Sequence, residues 1–358
     1  SRGIDADGIS AHLNPKLNTL LPDPLHLLGM NEAVQRLSDA IKKGQKISVF
    51  GDYDVDGATS SALIYRYFQA LGLDLRIYIP DRLKEGYGPT KSAMDQLKSE
   101  GTDLVITLDC GTAAHDCLSY AKQNGLDVVV VDHHVAEAGL PEAIAVINPN
   151  RLDEDSPHRQ LAAVGVTFLL IIALNSGLRD QGYFSEQNIS EPDLLQWLDL
   201  VALGTVADVV PLTGVNRAFV VQGLKVMAMR KNPGLVALGD VSDLDERPGA
   251  YHLGFIFGPR VNAGGRVGEA DLGAQLLSTD DKTEAFHLAT KLDMYNKERQ
   301  RIEAEIYEEA LQLATIQHNR PIVIVTGKGW HPGVIGIIAG RLKERFGVPS
   351  CVLTINGD

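Results

Sequence analysis

Three short apolar segments of the sequence run into side chains that can bind a metal ion. They are KISVFGDYDVDG (46–57), LVITLD (104–109) and DVVVVDHH (127–134). Carboxylate and imidazole ligands without thiolates suit manganese or magnesium better than structural zinc. Two such ions about 3.5–4 Å apart stabilise both the attacking and the leaving oxygen of a phosphoryl transfer. The residue types therefore favour metal-assisted phosphoester hydrolysis.

Each of these positions also has a simpler explanation when it is taken alone. The motif GDYDVDG is similar to a calcium-binding loop, but the bidentate glutamate at position 12 of such a loop is Leu63 here. Asp109 alone could cap a helix, and His133 alone could be a hydrogen-bonded core histidine. A single metal centre explains all three positions at once. It also supplies the cations without which crowded carboxylates repel one another. The candidate residues are Asp52, Asp54, Asp56, Asp109, Asp132, His133 and His134.

The elements that must position these side chains are strands of a parallel sheet. Runs of β-branched residues are typical of strands that are buried on both faces. Amphipathic segments separate the runs, and this alternation predicts an α/β fold with a doubly wound, mainly parallel sheet. Ligands of such sheets bind outside the carboxyl ends of the strands, so the candidate residues should meet there. The predicted strands are 46–50, 75–79, 104–109, 127–132 and 145–148.

The second half of the chain predicts a different organisation. Glycine and proline are dense from residue 234 to 268, which predicts loops and turns, and a long helix should run from about 281 to 318. Strands at 321–327 and 350–355 predict the start of a second α/β domain, truncated at residue 358. The expected parts are an N-terminal extension (1–45), a catalytic α/β domain (46–225), a loop-rich region (226–280), a connecting helix (281–319) and the incomplete second domain (320–358).

Composition is that of an ordinary globular protein with an acidic surface. The chain has 358 residues, a net charge of −13 and three cysteines. No C-x-x-C spacing or secretion signal is visible, which favours a reducing, cytoplasmic location. The apolar run from Leu161 to Leu174 is shorter than the roughly 18–20 residues of a membrane span, so we expect a buried helix and no membrane. The excess of acids argues against a nucleic-acid partner, unless bound cations reverse the local charge.

Four motifs together resemble the DHH phosphoesterase superfamily. They are GDYDVDG, LDCG (108–111), VVVDHH (129–134) and ALGTVADVVPL (202–212). With GPRVNAGGRVG (258–268), they are most similar to its RecJ-type branch of single-strand-specific 5′→3′ DNA exonucleases. The resemblance implies a second domain of the DHHA1 type and degradation of single-stranded DNA to mononucleotides in repair and recombination. It also implies two Mn²⁺ ions, with Mg²⁺ as the alternative.

The resemblance assigns a role to each candidate residue. Asp109 would bridge the two ions, His134 would contact the scissile phosphate, and Asp132 would orient its neighbours. Several superfamily members carry a histidine where this chain has Phe50, so one ion needs another ligand, and Asp52 or water could complete the set. The remaining metal ligands implied by the resemblance are Asp54, Asp56, His133 and Asp208.

The resemblance also implies that several polar residues contact the substrate. The motif GPRVNAGGRVG would place phosphate-contacting groups in the cleft, or else be a structural loop between domains. The segment RLKEGYGP (82–89) would offer a cation and an aromatic platform, or else be a solvated turn, and GWHPGVIGIIAGRL (329–342) would face the cleft. The substrate-binding candidates are Arg82, Tyr87, Arg260, Asn262, Arg266 and His331.

Two other functions are compatible with the same motifs. One is a phosphodiesterase that acts on short oligonucleotides or cyclic dinucleotides. The other is a catalytically silent DHH scaffold, which the retained acidic ligands disfavour. By resemblance, the partners would be single-stranded DNA, a single-stranded-DNA-binding protein and a recombination helicase.

Overall fold

A parallel five-stranded sheet forms the centre of the N-terminal half of the protein. The computed structural model describes residues 8–317 and 320–355. The strand order is β2-β1-β3-β4-β5, and the polarity of the winding reverses between β1 and β3. Ligands bind at this switch point in open α/β sheets. The strands are β1 (Ile47–Gly51), β2 (Arg76–Tyr78), β3 (Leu104–Leu108), β4 (Asp127–Val131) and β5 (Ala145–Ile147).

Burial of both sheet faces explains why the strands are almost uninterrupted apolar runs. In β4, Val129 and Val131 belong to the larger core, and Val128 and Val130 belong to the smaller core on the other face. Successive strand residues point to opposite faces, so both sets are covered by helices. The five strands predicted from the sequence are confirmed to within two residues at each end.

Helices cover both sides of the sheet and form most of the rest of the chain. Short 3₁₀ segments occur at Pro24–His26 and Leu194–Trp197, and a π-helical segment at Leu253–Phe257. The α-helices are α1 (Ile9–Leu13), α2 (Leu17–Leu20), α3 (Met30–Lys42), α4 (Val55–Ala70), α5 (Arg82–Glu85), α6 (Lys91–Ser99), α7 (His115–Gln123), α8 (Ala163–Asp180), α9 (Tyr183–Glu186), α10 (Leu198–Ala207), α11 (Gly214–Met227), α12 (Pro233–Val241), α13 (Ala250–His252), α14 (Gly258–Val267), α15 (Leu272–Ser278), α16 (Lys282–Thr315) and α17 (Pro332–Phe346).

Helix α8 is the buried helix that the apolar run predicted. It is long and apolar enough to cross a membrane by length and composition alone. Most of it is buried in the structure, and Phe168, Leu170 and Leu174 belong to the larger core. A core helix passes the same test of length and composition, so this helix is weak evidence for a membrane span.

Helix α3 makes the predicted N-terminal extension part of the main core. Met30, Ala33 and Leu37 are fully buried in the larger core. Arg36 also donates a 2.7 Å hydrogen bond to Asp127 at the start of β4. The described part of this segment therefore packs as an integral layer on the sheet.

The prediction of a loop-rich region at 226–280 is wrong, because most of the region is helical. Several of its glycines lie inside helices and allow close packing there. A Cβ atom at Gly264 would lie 2.6 Å from the Glu269 carbonyl oxygen, and one at Gly234 would lie 2.1 Å from the Leu276 carbonyl oxygen. These contacts explain why the two positions are glycine although both lie within helices.

The 34-residue helix α16 connects the first half to a small β-α-β unit. Strands β6 (Val323–Lys328) and β7 (Ser350–Ile355) pair in parallel, and α17 connects them. Buried residues of α16 and α17 form a separate core with these strands, including Ile306, Val334 and Ile338. The long helix and the following strands match the prediction, although His318 and Asn319, where the helix was expected to stop, lie outside the described residues.

Candidate metal centre

The acidic loop (residues 52–57) connects β1 to α4 and presents three carboxylates. Asp54 is the N-cap of α4, and its Oδ1 accepts hydrogen bonds from the backbone amides of Asp56 (2.9 Å) and Gly57 (3.1 Å). An N-cap aspartate satisfies amides that the helix cannot pair internally. A single oxygen makes both bonds, which leaves Oδ2 of Asp54 available to a cation.

Asp109 ends β3 in a left-handed backbone conformation with φ of 61°. Aspartate tolerates this region better than most residues, and backbone strain of this kind concentrates at functional sites. The Asp109 side chain is buried, and its Oδ1 has no hydrogen-bond partner among the residues that the structure describes. A buried carboxylate oxygen that lacks a hydrogen-bond donor needs a positively charged partner to offset the cost of its burial.

Six residues converge with Asp109 at the carboxyl ends of β1, β3 and β4. They form three overlapping groups in which the ligand atoms of each group lie within 4.8 Å of one another. Asp109 belongs to two of the groups, and His133 also belongs to two. The groups are Asp52, Asp54 and Asp109; Asp109, His133 and His134; and Asp56, His133 and Asp208.

His133 is oriented by a backbone carbonyl. Its Nδ1 lies 3.1 Å from the Leu161 carbonyl oxygen, so Nδ1 must be the protonated donor, and Nε2 is left as the lone-pair nitrogen. Nε2 lies 3.3 Å from Oδ1 of Asp109 and 3.8 Å from Oδ2 of Asp56. Burial, together with neighbouring His134, lowers the pKa of His133 and favours the neutral form that binds metals.

Asp132 holds His134 and the backbone of both histidines. Its Oδ1 accepts hydrogen bonds from the amide of His133 (2.7 Å), from the amide of His134 (3.1 Å) and from Nδ1 of His134 (2.7 Å). Its Oδ2 accepts a 3.0 Å hydrogen bond from the amide of Thr112. Burial is the largest single influence on Asp132 and opposes its ionisation, but the hydrogen bond and charge of His134 and the bonds from Thr112 together outweigh burial and lower the pKa of the carboxyl.

Asp56 has a structural role that the sequence did not suggest. Helix α8 begins after Ala162, whose side chain cannot cap it. The two oxygens of Asp56 accept hydrogen bonds from the amides of Ala163 (2.6 Å) and Val164 (2.8 Å) in the first turn of that helix. The helix N-terminus therefore stabilises the carboxylate and fixes its direction beside Asp208.

The electrostatics of the cluster fit bound cations. Burial, with repulsion from Asp54, raises the pKa of Asp52 to about 7 and that of Asp208 to about 6. Burial and neighbouring carboxylates also raise the pKa of Asp56 and Asp109 well above the ordinary value. Divalent cations would relieve the repulsion and supply partners for the orphaned oxygens. The oxygen and imidazole donors present are suited to Mn²⁺ or Mg²⁺.

Phe50 occupies the position at which the resemblance to the superfamily suggested a histidine, and it is fully buried in the smaller core. Its ring stacks on Tyr78 with centroids 5.6 Å apart. Asp52, two residues later, is buried, and its Oδ1 lacks a hydrogen-bond partner among the described residues. Asp52 is thus the additional carboxylate that could complete a ligand set.

An aromatic cluster lies beside His134. The hydroxyl of Tyr87 is 3.4 Å from Nε2 of His134, and the Tyr87 ring meets Tyr53 edge to face at 6.5 Å. The guanidinium of Arg82 lies 5.2 Å from the centre of the Tyr53 ring. A cavity of about 250 Å³ lined by Tyr87, His134 and Val135 adjoins this cluster. Sequence reasoning found Arg82 and Tyr87 but missed Tyr53.

The predicted substrate-binding residues of α14 and α17 mostly make contacts within the protein. Arg260 donates to Asp293 (2.9 Å) and to the Ile256 carbonyl. Arg266 donates to the Gly333 carbonyl (3.2 Å), and burial, with nearby Arg82 and Arg299, lowers its pKa.

Two further predicted residues accept hydrogen bonds from backbone amides. Nδ1 of His331 accepts the amide of Gly333 and so caps α17. Oδ1 of Asn262 accepts the amide of Val55 in the acidic loop. Of these four predicted residues, Asn262 is therefore the one that bonds to the backbone of the acidic loop.

Sequence reasoning also missed two asparagines that follow β5. Nδ2 of Asn148 donates to the carbonyl of His134 (2.8 Å), and Nδ2 of Asn150 donates to the carbonyl of His133 (2.6 Å). The motif INPN (147–150) ends a strand of the same sheet. The rule that polar residues after parallel strands share one edge could have found them.

The fold and the site together define an α/β protein with a carboxylate–histidine metal centre at the switch point of its sheet. The sequence profile of the DHH family, N-terminal domain, matches residues 46–205. The chain belongs to the DHH family, and within it to the RecJ group. Two solved structures and one curated relative support this assignment.

The relatives differ in how much of their length the chain covers. The single-stranded-DNA-specific exonuclease RecJ of Salmonella typhimurium is 43% identical over all of this chain and 63% of its own length. A crystal structure of exonuclease RecJ bound to manganese is 35% identical, has a TM-score of 0.80, and aligns over 94% of this chain and 81% of its own. RecJ of Thermus thermophilus in complex with Mn²⁺ is 33% identical with a TM-score of 0.80, over 96% of this chain and 48% of its own. The chain thus spans less than two thirds of the curated relative.

Proposed function

We propose that this chain hydrolyses phosphodiester bonds of single-stranded DNA and releases mononucleotides from the 5′ end. The convergence of Asp56, Asp109 and His133 at one sheet edge carries the proposal. Buried carboxylate oxygens without donors favour a site built for cations. The RecJ relatives, which are single-stranded-DNA-specific exonucleases, support the substrate class and the reaction.

We propose that the ligands form two neighbouring sites for divalent cations. Asp109 would contact both, because it belongs to two of the three groups of candidate ligands and its carboxylate has two oxygens, whereas the neutral imidazole of His133 offers one lone pair. Mn²⁺ is the proposed cofactor, with Mg²⁺ as the alternative, and the bound ions would supply Lewis-acid stabilisation of charge on the phosphate. The proposed ligands are Asp52, Asp54, Asp56, Asp109, His133 and Asp208.

The residues of this chain would orient the scissile phosphate. Asp132 fixes the ring of His134, and the bond from Asp132 raises the pKa of His134. The imidazolium form would donate from Nε2 to a phosphate oxygen, which is a charge-assisted hydrogen bond. Tyr53 and Tyr87 would stack on unpaired bases, and Arg82 and Arg266 would balance the phosphate charge.

The biological setting is proposed from the family resemblance. The activity would serve DNA repair and recombination in the cytoplasm. A single-stranded-DNA-binding protein and a recombination helicase are the proposed partners. Pull-down of this chain with each purified candidate partner, with and without single-stranded DNA, would test the interactions.

Digestion of labelled single strands tests the reaction and its polarity. A single-stranded DNA ladder carrying a label at the 5′ or the 3′ end would be incubated with Mn²⁺ and either wild type or Asp109→Asn. We expect the wild type to release the 5′ label first as a mononucleotide and the variant to release none. Cleavage restricted to two- to five-nucleotide substrates would support an oligonucleotide phosphodiesterase. Mn²⁺ binding without cleavage would indicate a different reaction, and the absence of both would support the scaffold alternative.

A further inference from the structure

One face of helix α14 packs against the acidic loop. Residues 258, 262 and 265 follow a spacing of four and three residues, which places them on the same side of an α-helix. A Cβ atom at Gly258 would lie 4.0 Å from Cγ2 of Val55, and one at Gly265 would lie 3.0 Å from the Tyr53 carbonyl oxygen. Glycine at position 265 allows α14 to approach the loop closely, whereas at position 258 Val55 is in ordinary van der Waals contact and the tightest neighbour is the Leu253 carbonyl oxygen at 3.0 Å.

Asn262 makes the hydrogen bond at the centre of this face. Its Oδ1 accepts the amide of Val55, the first residue of α4, at 3.1 Å. The next two amides, of Asp56 and Gly57, bond to the side chain of Asp54, and the amide of Ala58 bonds to the Asp54 carbonyl. Asn262 thus satisfies the one first-turn amide of α4 that its own N-cap does not reach.

We propose that Asn262 is a positioning residue of the metal centre, which holds the N-terminus of α4 and thereby the carboxylates of Asp54 and Asp56. The proposal rests on the proposed function only for the identity of the reaction. Residue 262 is 207 positions from Val55 in sequence. A hydrogen bond from a separate helix therefore fixes the loop against the rest of the protein.

Loss of this hydrogen bond frees the loop without removing a ligand. In Asn262→Ala, the amide of Val55 loses its partner, and the first turn of α4 opens more often. Residues that orient metal ligands contribute about 10- to 100-fold to metal affinity or activity. We expect Mn²⁺ affinity to fall by about tenfold in this variant, with kcat reduced more than KM changes.

Asn262→Asp separates positioning from direct contact with a phosphate. The aspartate keeps an oxygen that can accept the Val55 amide, but it lacks the Nδ2 donor and adds negative charge. If Asn262 positions the loop, the Val55 amide should be most protected from hydrogen exchange with Asn at position 262, less protected with Asp, and least protected with Ala. Contact with a phosphate through Nδ2 predicts that Asp raises KM more than Ala, with exchange at Val55 unchanged in both variants.

The matched control is Asn232→Ala. Oδ1 of Asn232 accepts the amides of Gly234 and Leu235 at the start of α12, so this variant also removes an asparagine from a helix N-terminus. It should leave Mn²⁺ affinity and exchange at Val55 unchanged. If Asn262→Ala does not fold, Asn262→Ser provides the same loss, because the shorter side chain cannot span the distance to Val55.

Hydrogen exchange measured on the metal-free chain, followed by Mn²⁺ calorimetry, decides the inference independently of nuclease activity. Faster exchange at Val55, Asp56 and Gly57 in Asn262→Ala, with partial recovery in Asn262→Asp and weaker Mn²⁺ binding, is the expected result. Unchanged exchange and unchanged Mn²⁺ affinity in Asn262→Ala would overturn it. A wild type that binds Mn²⁺ but does not cleave DNA would refute the proposed function and leave this inference standing.

Discussion

Oδ1 of Asp132 lies 2.7 Å from Nδ1 of His134 and also accepts the backbone amides of His133 and His134. One carboxylate oxygen therefore fixes the backbone of both histidines and the ring of His134, while the Leu161 carbonyl orients the ring of His133. This arrangement explains how neighbouring histidines can point to different targets. Nε2 of His133 lies near Asp109, whereas Nε2 of His134 lies near the Tyr87 hydroxyl.

Asp132→Asn should impair catalysis without removing a ligand. In the variant, an amide nitrogen replaces one of the two carboxylate oxygens and cannot accept a hydrogen bond. The lost acceptor is either the one for the Thr112 amide or the one for the backbone amides of His133 and His134 and Nδ1 of His134, so residues 132–134 must shift. We expect activity on single-stranded DNA to fall about 10- to 100-fold, as for other groups that orient metal-binding residues. Steady-state kinetics with saturating Mn²⁺ measure the effect. Asp127→Asn, at the other end of β4, is the control and should retain wild-type activity.

Asp109→Asn should make the metal-free protein more stable and strongly reduce stabilisation by Mn²⁺. It removes a charge from a buried, repulsive cluster, which should add about 1–3 kcal/mol to the free energy of unfolding. Asparagine also tolerates the left-handed backbone at this position, whereas alanine would add strain.

Denaturant unfolding with and without Mn²⁺ measures both effects. Wild type at an ion concentration 100 times the Kd should gain about 2.7 kcal/mol, and Asp109→Asn should gain much less. A variant that is less stable than wild type without metal, yet still stabilised by Mn²⁺, would contradict this account.

The sheet could be predicted from the sequence because its signals are local. Runs such as VVVV (128–131) have the length and residue types of strands buried on both faces. The position of Asp109 and His133 at one edge then follows from the rule for parallel sheets. The candidate ligands that follow the strands could therefore be predicted from the sequence, whereas Asp208, which ends α10, was implied only by the family resemblance.

The supporting contacts could not be predicted because their partners are remote in sequence. Asp56 caps α8 from 107 positions away, and Asn262 bonds to the acidic loop from 207 positions away. The glycines of α14 were interpreted as turn signals, although they allow close approach to Tyr53 and Glu269. Glycine content shows that backbone conformation or space is constrained, but it does not identify which.

Tyr87→Ala should weaken binding of single-stranded DNA while Tyr87→Phe largely preserves it. The Tyr87 side chain is 57% exposed beside His134, so its ring is available for stacking. Stacking of one base on an aromatic ring contributes about 1–3 kcal/mol, which corresponds to roughly 5- to 150-fold in Kd. Fluorescence anisotropy with a labelled oligonucleotide and no added metal measures the affinity. Equal losses in both variants would instead assign the contribution to the hydroxyl.

Asp199 should make the stability of the protein depend on pH. It is buried at the start of α10, and its Oδ1 accepts the Leu200 amide at 2.9 Å. Burial raises its pKa to about 7, compared with 3.8 for an unperturbed aspartate. The native state therefore binds this proton more tightly than the unfolded state, so the contribution is complete below pH 4 and is lost as pH rises to about 7.

Asp199→Asn removes this titration and tests its sign. We expect the variant and wild type to differ least near pH 4, and the variant to be about 1–3 kcal/mol more stable at pH 7.5. Urea unfolding of both proteins at several pH values between 4 and 8 gives the difference, from which the other titrating groups cancel. Asp180→Asn provides the control, because it makes the same substitution at an exposed position. A difference between Asp199→Asn and wild type that stays constant across this range would show that Asp199 is ionised in the native state throughout.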